Sequence, residues 1–289
     1  MVKKFVYGTP FETEAVVKKI PSSEGNPDYG TFSTENGFSF TTKLADDDMV
    51  FGLGEANRGI NKRGFLYISD CADDPNHVES KTSLYAAHNF IIISGKTHVG
   101  FFFDYPGTLR FDIGYTTSDT MTVSCENADL YVYMITGDSD LDIVKQFRGI
   151  IGRSYIAPKF AFGYGQSRWG YKTEDDFRTV VKKYRENHVP LDMVYMDIDY
   201  MQDYKDFTVN EERFPDFEGF VQDMKKEKIH LVPIIDAGVK VEKDYDIYEE
   251  GCEKGYFCRR EDGSYFEATV WPGWTHFPDV LNADARKWF

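Results

Sequence analysis

The chain has 289 residues, 42% of them hydrophobic, and 48 acidic against 33 basic side chains give a formal net charge of −15. That length accommodates one large domain or two ordinary ones with a sizeable core. A field of this sign repels phosphate backbones and anionic lipid, and no lysine/arginine cluster reverses it locally, which excludes nucleic acid and membrane surfaces as partners.

Met1-Val2-Lys3-Lys4 leads into mixed residues such as Thr9, Pro10, Glu12 and Glu14 rather than an apolar stretch. With no signal-peptide pattern, no span-like run and no Asn-x-Ser/Thr acceptor, the expectation is a cytoplasmic protein of bacterial type. From Phe5 to about Thr136, short β-rich runs alternate with turn residues. Examples are Gly37-Phe38-Ser39-Phe40-Thr41-Thr42, Phe90-Ile91-Ile92-Ile93-Ser94, Val99-Gly100-Phe101-Phe102-Phe103, Met121-Thr122-Val123-Ser124 and Leu130-Tyr131-Val132-Tyr133-Met134. Turn chemistry sits between them in Asn26-Pro27-Asp28, Asp73-Asp74-Pro75-Asn76 and Tyr105-Pro106-Gly107-Thr108. Residues 1–139 therefore read as an antiparallel β-sandwich.

In residues 140–157 the period changes. Leu141, Val144, Phe147 and Ile151 recur every three or four positions and Gly152 ends the run, which predicts a linking helix. From 158 to 289 the pattern becomes strand, helix, strand, helix. Phe160-Ala161-Phe162-Gly163-Tyr164-Gly165 reads as a first buried strand. Thr173 and Asp176 open a helix that runs to His188, and residues 193–196 form the second strand. A second helix follows Phe214-Pro215-Asp216, and Leu231-Val232-Pro233-Ile234-Ile235 forms the third strand. Strand ends at Gly165, Asp197 and Asp236 are spaced by the roughly thirty residues or more of βα units, so the strands should be parallel.

Three such units suit either a doubly wound sheet or the start of a (β/α)8 barrel. No Gly-x-Gly-x-x-Gly opens the first helix, which weakens the former. Trp169, Asp197 and Asp236 all fall just past strand carboxyl ends, where barrels place their sites. The 132 residues from Pro158 onward are short of the ~250 of a complete barrel, so the barrel is incomplete in this chain.

The sharpest local signal is Asp197-Ile198-Asp199. Two carboxylates one residue apart at a strand end can point to opposite faces, one into the barrel mouth and the other bracing a loop. Trp169 next to Gly170, and Trp271 before Pro272-Gly273, place indoles beside tight turns. A carboxylate with indoles suits a pocket for a neutral polyhydroxylated ring, whose hydroxyls the one grips and whose C–H faces the other covers. The structural alternative is that each indole simply packs and both carboxylates cap backbone amides. Cysteines 71, 125, 252 and 258 lack a Cys-x-x-Cys pair and read as free thiols. No two of the six histidines have ligand spacing, and the acidic runs 46–48 and 71–77 lack the calcium-loop pattern, so neither metal nor cofactor is expected.

Taken together, Phe51-Gly52-Leu53-Gly54-Glu55, Gln166-Ser167-Arg168-Trp169-Gly170-Tyr171, Tyr195-Met196-Asp197-Ile198-Asp199-Tyr200-Met201, Phe214-Pro215-Asp216, Ile234-Ile235-Asp236 and Trp271-Pro272-Gly273 resemble glycoside hydrolase family 31. The resemblance implies a β-sandwich followed by a (β/α)8 barrel and a retaining, exo-acting α-glucosidase acting on short oligosaccharides. It implies that Asp197 bonds sugar hydroxyls in the −1 subsite, with Ile198, Ile235 and Trp271 as its apolar wall and Trp169 at the rim. A sandwich loop matching residues 71–77 would add Asp73, with Asp74 as the alternative contact. Asp-Ile-Asp is similar to the α-glucosidases of the family rather than its α-xylosidases, which carry Asp-Cys-Phe. The family's nucleophile motif, Trp-x-Asp-Met-Asn-Glu, and its later acid/base are absent from these 289 residues. The chain alone is therefore expected to be inactive and to need the remainder of the barrel as a partner, with a homo-oligomer allowed. Two other readings stand beside this one: a metal-dependent glycosyltransferase using Asp-x-Asp, and a non-catalytic carbohydrate-binding or assembly module.

Overall fold

A computed structural model describes residues 1–72 and 74–289. It falls into two compact units, Met1–Ser154 and Tyr155–Phe289.

Among the described residues the first unit has ten strands: β1 (Val2–Tyr7), β2 (Thr31–Ser33), β3 (Phe38–Lys43), β4 (Met49–Gly52), β5 (Phe65–Ser69), β6 (Phe90–Ser94), β7 (His98–Asp104), β8 (Leu109–Ile113), β9 (Thr120–Cys125) and β10 (Leu130–Gly137). They form two five-stranded antiparallel sheets, ordered β1-β10-β7-β6-β4 and β2-β3-β9-β8-β5. Strand alternation explains the core: Phe38 and Phe40 of β3, Phe101 and Phe103 of β7, and Phe111 of β8 all enter one cluster between the sheets. Their rings meet in stacked, tilted and edge-on pairs, with Phe40 and Phe101 centroids 4.7 Å apart. This sandwich core accounts for many of the chain's 24 phenylalanines.

The first sheet is apolar on its second face too. Tyr133 and Ile135 of β10 alternate with Val132 and Met134 and pack outward against α1 (Asp140–Ile151). Ser139 caps this helix by accepting the Asp142 N–H, and Gly152 ends it at φ 91°. The helix belongs to the first unit, seated on β6, β7 and β10, where the sequence reading made it a linker. Its buried face is Ile143 and Ile150, flanked by Val144, Phe147 and Ile151, whereas Leu141 is exposed. Phe147 stacks on Phe90 at 3.9 Å and 4°. Ile143 lies over Gly100, where a Cβ would come within 2.6 Å of its Cγ2, so glycine there admits the helix.

The second unit begins its parallel sheet later than expected. Residues Lys159–Phe162 form a 3₁₀ turn, with Gly163 N–H donating to the Phe160 carbonyl, and only Gly165–Gln166 is strand (β11). Pairing starts at Tyr164, whose carbonyl accepts from Asp192 and Met193. An apolar run of this length does not by itself distinguish a buried strand from a packed turn. Next come α2 (Glu174–Glu186), β12 (Met193–Met196), α3 (Phe217–Lys226) and β13 (His230–Pro233). The order β11-β12-β13 is parallel throughout, as expected for successive βα units. Thr173 and Asp176 form the capping box of α2.

Phe177 of α2, Phe214, Phe220 of α3, Val194, Met196 and Ile198 fill the space between the helices and one face of this sheet. After β13 the chain adds β14 (Val239–Lys240), α4 (Asp246–Lys254), β15 (Glu267–Val270), β16 (Gly273–His276) and α5 (Ala283–Trp288). The small antiparallel sheet β14-β16-β15 was not foreseen in the sequence. No helix among the described residues is long and apolar enough to cross a membrane, and all four cysteines are free.

Candidate binding rim at the strand carboxyl ends

Asp197 directly follows β12. It caps a short 3₁₀ turn, Ile198–Tyr200, and one carboxylate oxygen accepts the Ile198 N–H at 2.7 Å, leaving a half-buried acid at the strand end. Asp199 takes the other role that two carboxylates in this spacing can divide. It is 1% exposed, and Arg213 Nη1 donates to its carbonyl at 2.8 Å and to its Oδ1 at 3.3 Å. Asp199 is thus the brace, and Asp197 is the carboxylate left at the rim.

The next strand runs alongside in register. Met196 pairs with Pro233, and the Ile234 N–H donates to the Met196 carbonyl at 2.9 Å, which carries the pairing past the end of β13. Ile235 and Asp236 therefore leave the sheet beside Asp197. Ile235 is 41% exposed, while Ile198 is buried in the core between sheet and helices rather than facing outward as a wall. Burial first, and the adjacent Asp197 carboxylate second, hold the Asp236 carboxyl above its ordinary range.

Trp169 lies past β11 and is 65% exposed. The loop carrying it is anchored by Gln166, whose Oε1 accepts from the Tyr164 and Tyr184 hydroxyls and whose Nε2 donates to Tyr171 Oη and the Ser167 carbonyl. Trp271 and Pro272 are the two-residue turn joining β15 to β16, and Trp271 is 69% exposed. This hairpin is tied to the exit of β13, because β16 also pairs with β14 and Val270 Cγ2 closes to 2.9 Å of where a Gly238 Cβ would stand. Asp73 lies outside the described residues. Asp74 is half-buried in the first unit, paired with Lys81 at 2.7 Å, and the Lys81 ammonium holds its carboxyl below the usual range.

Sequence reasoning missed Asp206. This residue is 1% exposed; its Oδ1 accepts the Asp236 N–H at 2.9 Å and its carbonyl accepts from Tyr245 Oη at 2.8 Å. Burial pushes its carboxyl up to about 7, the Asp236 N–H acting against that rise and the Asp236 charge adding to it. Tyr200 Oη donates to the Ile234 carbonyl at 2.9 Å, and burial with the two carboxyls nearby pushes it up to about 12. Nothing periodic marks Asp206; its partner is thirty positions away and becomes a neighbour only when β12 and β13 pair. Among the described residues no group of three or more His, Cys, Asp or Glu side chains could hold a metal ion.

The arrangement offers a half-exposed carboxylate flanked by an exposed isoleucine at consecutive strand ends, with Trp169 exposed on the loop after β11 and Trp271 exposed at the turn of the β15–β16 hairpin. Hydroxyl groups can be accepted by the first and C–H faces covered by the others.

The model of the glycosyl hydrolases family 31 TIM-barrel domain matches residues 154–289, and that of the glycosyl hydrolase 31 N-terminal galactose mutarotase-like domain matches residues 9–112. α-Glucosidase 2 of Bacillus thermoamyloliquefaciens is 36% identical over 252 residues, covering 86% of this chain and 32% of that protein. The α-glucosidase of Saccharolobus solfataricus is 27% identical across 100% of this chain and 42% of its own length. Among solved structures, the ER glucosidase II heterodimeric complex, of catalytic subunit and the binding domain of the regulatory subunit, superposes with a TM-score of 0.77 at 25% identity, covering 87% of this chain and 30% of that one. The chain thus spans less than half the length of these relatives. It belongs to glycosyl hydrolase family 31, and carries the family's N-terminal β-sandwich and the opening βα units of its barrel.

Proposed function

We propose that this chain is the N-terminal portion of a retaining, exo-acting α-glucosidase that removes terminal α-linked glucose from short oligosaccharides. The observation that carries the reading is Asp197, a half-exposed carboxylate at the carboxyl end of β12, with Ile235 exposed beside it at the end of β13. In this reading Asp197 accepts hydrogen bonds from hydroxyls of the terminal glucosyl unit, each charge-assisted bond contributing about 1.5–3 kcal/mol. Ile235 and Trp271 cover its apolar face and Trp169 stands at the rim, while Ile198 lies in the core. The curated relatives named as α-glucosidases support the linkage class.

Retaining hydrolysis uses a carboxylate nucleophile and a carboxylic acid about 5–5.5 Å apart. We place both in sequence that follows this portion, which on its own binds without cleaving. The Asp-x-Asp glycosyltransferase alternative needs two carboxylates facing one divalent ion, and Asp199 is instead buried against Arg213. The test is proton NMR of the full-length protein with maltose and isomaltose. Release of α-glucose ahead of mutarotation supports the proposal; β-glucose as first product, or no hydrolysis by folded protein, overturns it.

A further inference from the structure

The segment that carries Ile235 past β13 is held at both ends. Tyr200 Oη donates to the carbonyl of Ile234, and the carboxyl of Asp206 accepts the N–H of Asp236, leaving Ile235 between two fixed points with its side chain 41% exposed. Both clamps come from the loop after the neighbouring strand β12, so they tie one strand exit to the next.

Asp206 is itself held firmly. Tyr245 Oη fixes its carbonyl, and the side chain is 1% exposed. The flanking Lys205 ammonium is 2.5 Å from Glu242, which Lys240 also contacts at 2.5 Å. Thr208 Oγ1 donates to the Lys205 carbonyl at 2.6 Å and accepts the Gln202 N–H at 2.9 Å. Asp203, Tyr204 and Phe207 take φ values of 52°, 60° and 61°, a region sparsely populated by residues other than glycine. Such conformations persist where the surroundings over-determine them, and they gather at ligand clamps. Here three of them flank Asp206, whose buried carboxyl reaches the 234–236 segment.

We propose that Asp206 is a positioning residue of the glucosyl-binding rim, its carboxyl oxygen fixing the 234–236 segment so that Ile235 is set beside Asp197; this rests on the α-glucosidase reading above. What matters is the acceptor oxygen rather than a negative charge. Burial raises the affinity of this carboxyl for the proton, and the protonated group still presents an oxygen that accepts the Asp236 N–H.

The test compares Asp206→Asn, which keeps a side-chain carbonyl acceptor, with Asp206→Ala in the full-length protein. For 4-nitrophenyl α-glucoside, Asp206→Ala is expected to lower kcat/KM by about tenfold, mainly through KM, the scale of one lost hydrogen bond and a loosened wall. Asp206→Asn is expected to stay within about threefold of the parent. A purely structural role would lower the folded fraction and leave KM per folded molecule unchanged. Equal losses in both variants, or a KM within twofold of the parent in Asp206→Ala, overturn the proposal. A second readout is independent of activity: hydrogen exchange of the Asp236 amide. Slow exchange in the parent and Asp206→Asn with at least tenfold faster exchange in Asp206→Ala supports the clamp, and equal rates in all three overturn it. If the folded parent neither hydrolyses α-glucosides nor binds deoxynojirimycin, the α-glucosidase reading fails while the exchange data still decide whether Asp206 holds the segment.

Discussion

Replacing Asp206 with asparagine should remove most of a pH dependence of stability. In the folded chain the carboxyl is pushed up to about 7, from an ordinary value of 3.8, chiefly by burial. Between those values the native state holds a proton that the unfolded state has released, so stability falls as pH rises from 3.8 to 7 and levels off above. At 1.36 kcal/mol per unit, the full effect is about 4 kcal/mol, of which roughly 3 kcal/mol falls between pH 5 and pH 8. Tyr245, Tyr200 and Asp236 face the group, and all three remain in the variant. Asp236 and Asp104, whose carboxyls are also held high by burial, contribute a slope of the same sign in both proteins, so the difference between them isolates Asp206. Hydrogen-exchange mass spectrometry of the full-length protein, read on peptides covering β12 and the loop to Thr208, gives an opening free energy at each pH once intrinsic rates are divided out. The parent should lose about 3 kcal/mol from pH 5 to pH 8, and Asp206→Asn should lose less than half of that. Parallel profiles would refute the argument that a buried, protonated carboxyl sits at this position.

Three further substitutions probe the framework. Arg213→Ala leaves the Asp199 carboxylate buried without its cation and should destabilise the barrel unit by about 3 kcal/mol or more in urea titrations, with Arg213→Ala/Asp199→Asn recovering part of the loss. Gly100→Ala drives a methyl to within 2.6 Å of Ile143 Cγ2 and should cost the sandwich about 1–3 kcal/mol, seen as a lower calorimetric transition for that unit. Thr173→Ala removes the capping-box oxygen of α2 and should cost about 1 kcal/mol, detectable as faster amide exchange at the first turn of the helix.

The strands that end at Asp197 and near Asp236 were legible in the sequence. An apolar run ending at Asp197, another ending near Asp236 and the spacing between them describe two parallel strands, and parallel neighbours in register bring their carboxyl ends together. Thr173 and Asp176 announced a helix start through local chemistry alone. Where the outcome depended on packing, sequence reasoning fell short. Phe160-Ala161-Phe162 reads as a strand by composition, yet the Phe160 ring stacks on His230 at 3.5 Å and the backbone closes a turn instead. Leu141 fits the helical period of α1 but faces outward, because the seat for the helix is set by Gly100 on another strand. Trp271 was recognised beside its Pro-Gly, but the hairpin that carries it pairs with β14, which has only two residues and no pattern of its own. Asp206 had no local signal at all, since its role exists only through Asp236 and Tyr245.

The most direct test of the central claim is calorimetric binding of deoxynojirimycin to the full-length protein and to its Asp197→Ala variant. A carboxylate that grips hydroxyls of a glucosyl-like ring through charge-assisted bonds should, when removed, weaken binding by at least about thirtyfold, equivalent to roughly 2 kcal/mol. Affinity unchanged by the substitution, in a variant that remains folded, would contradict the assignment of this rim to a sugar.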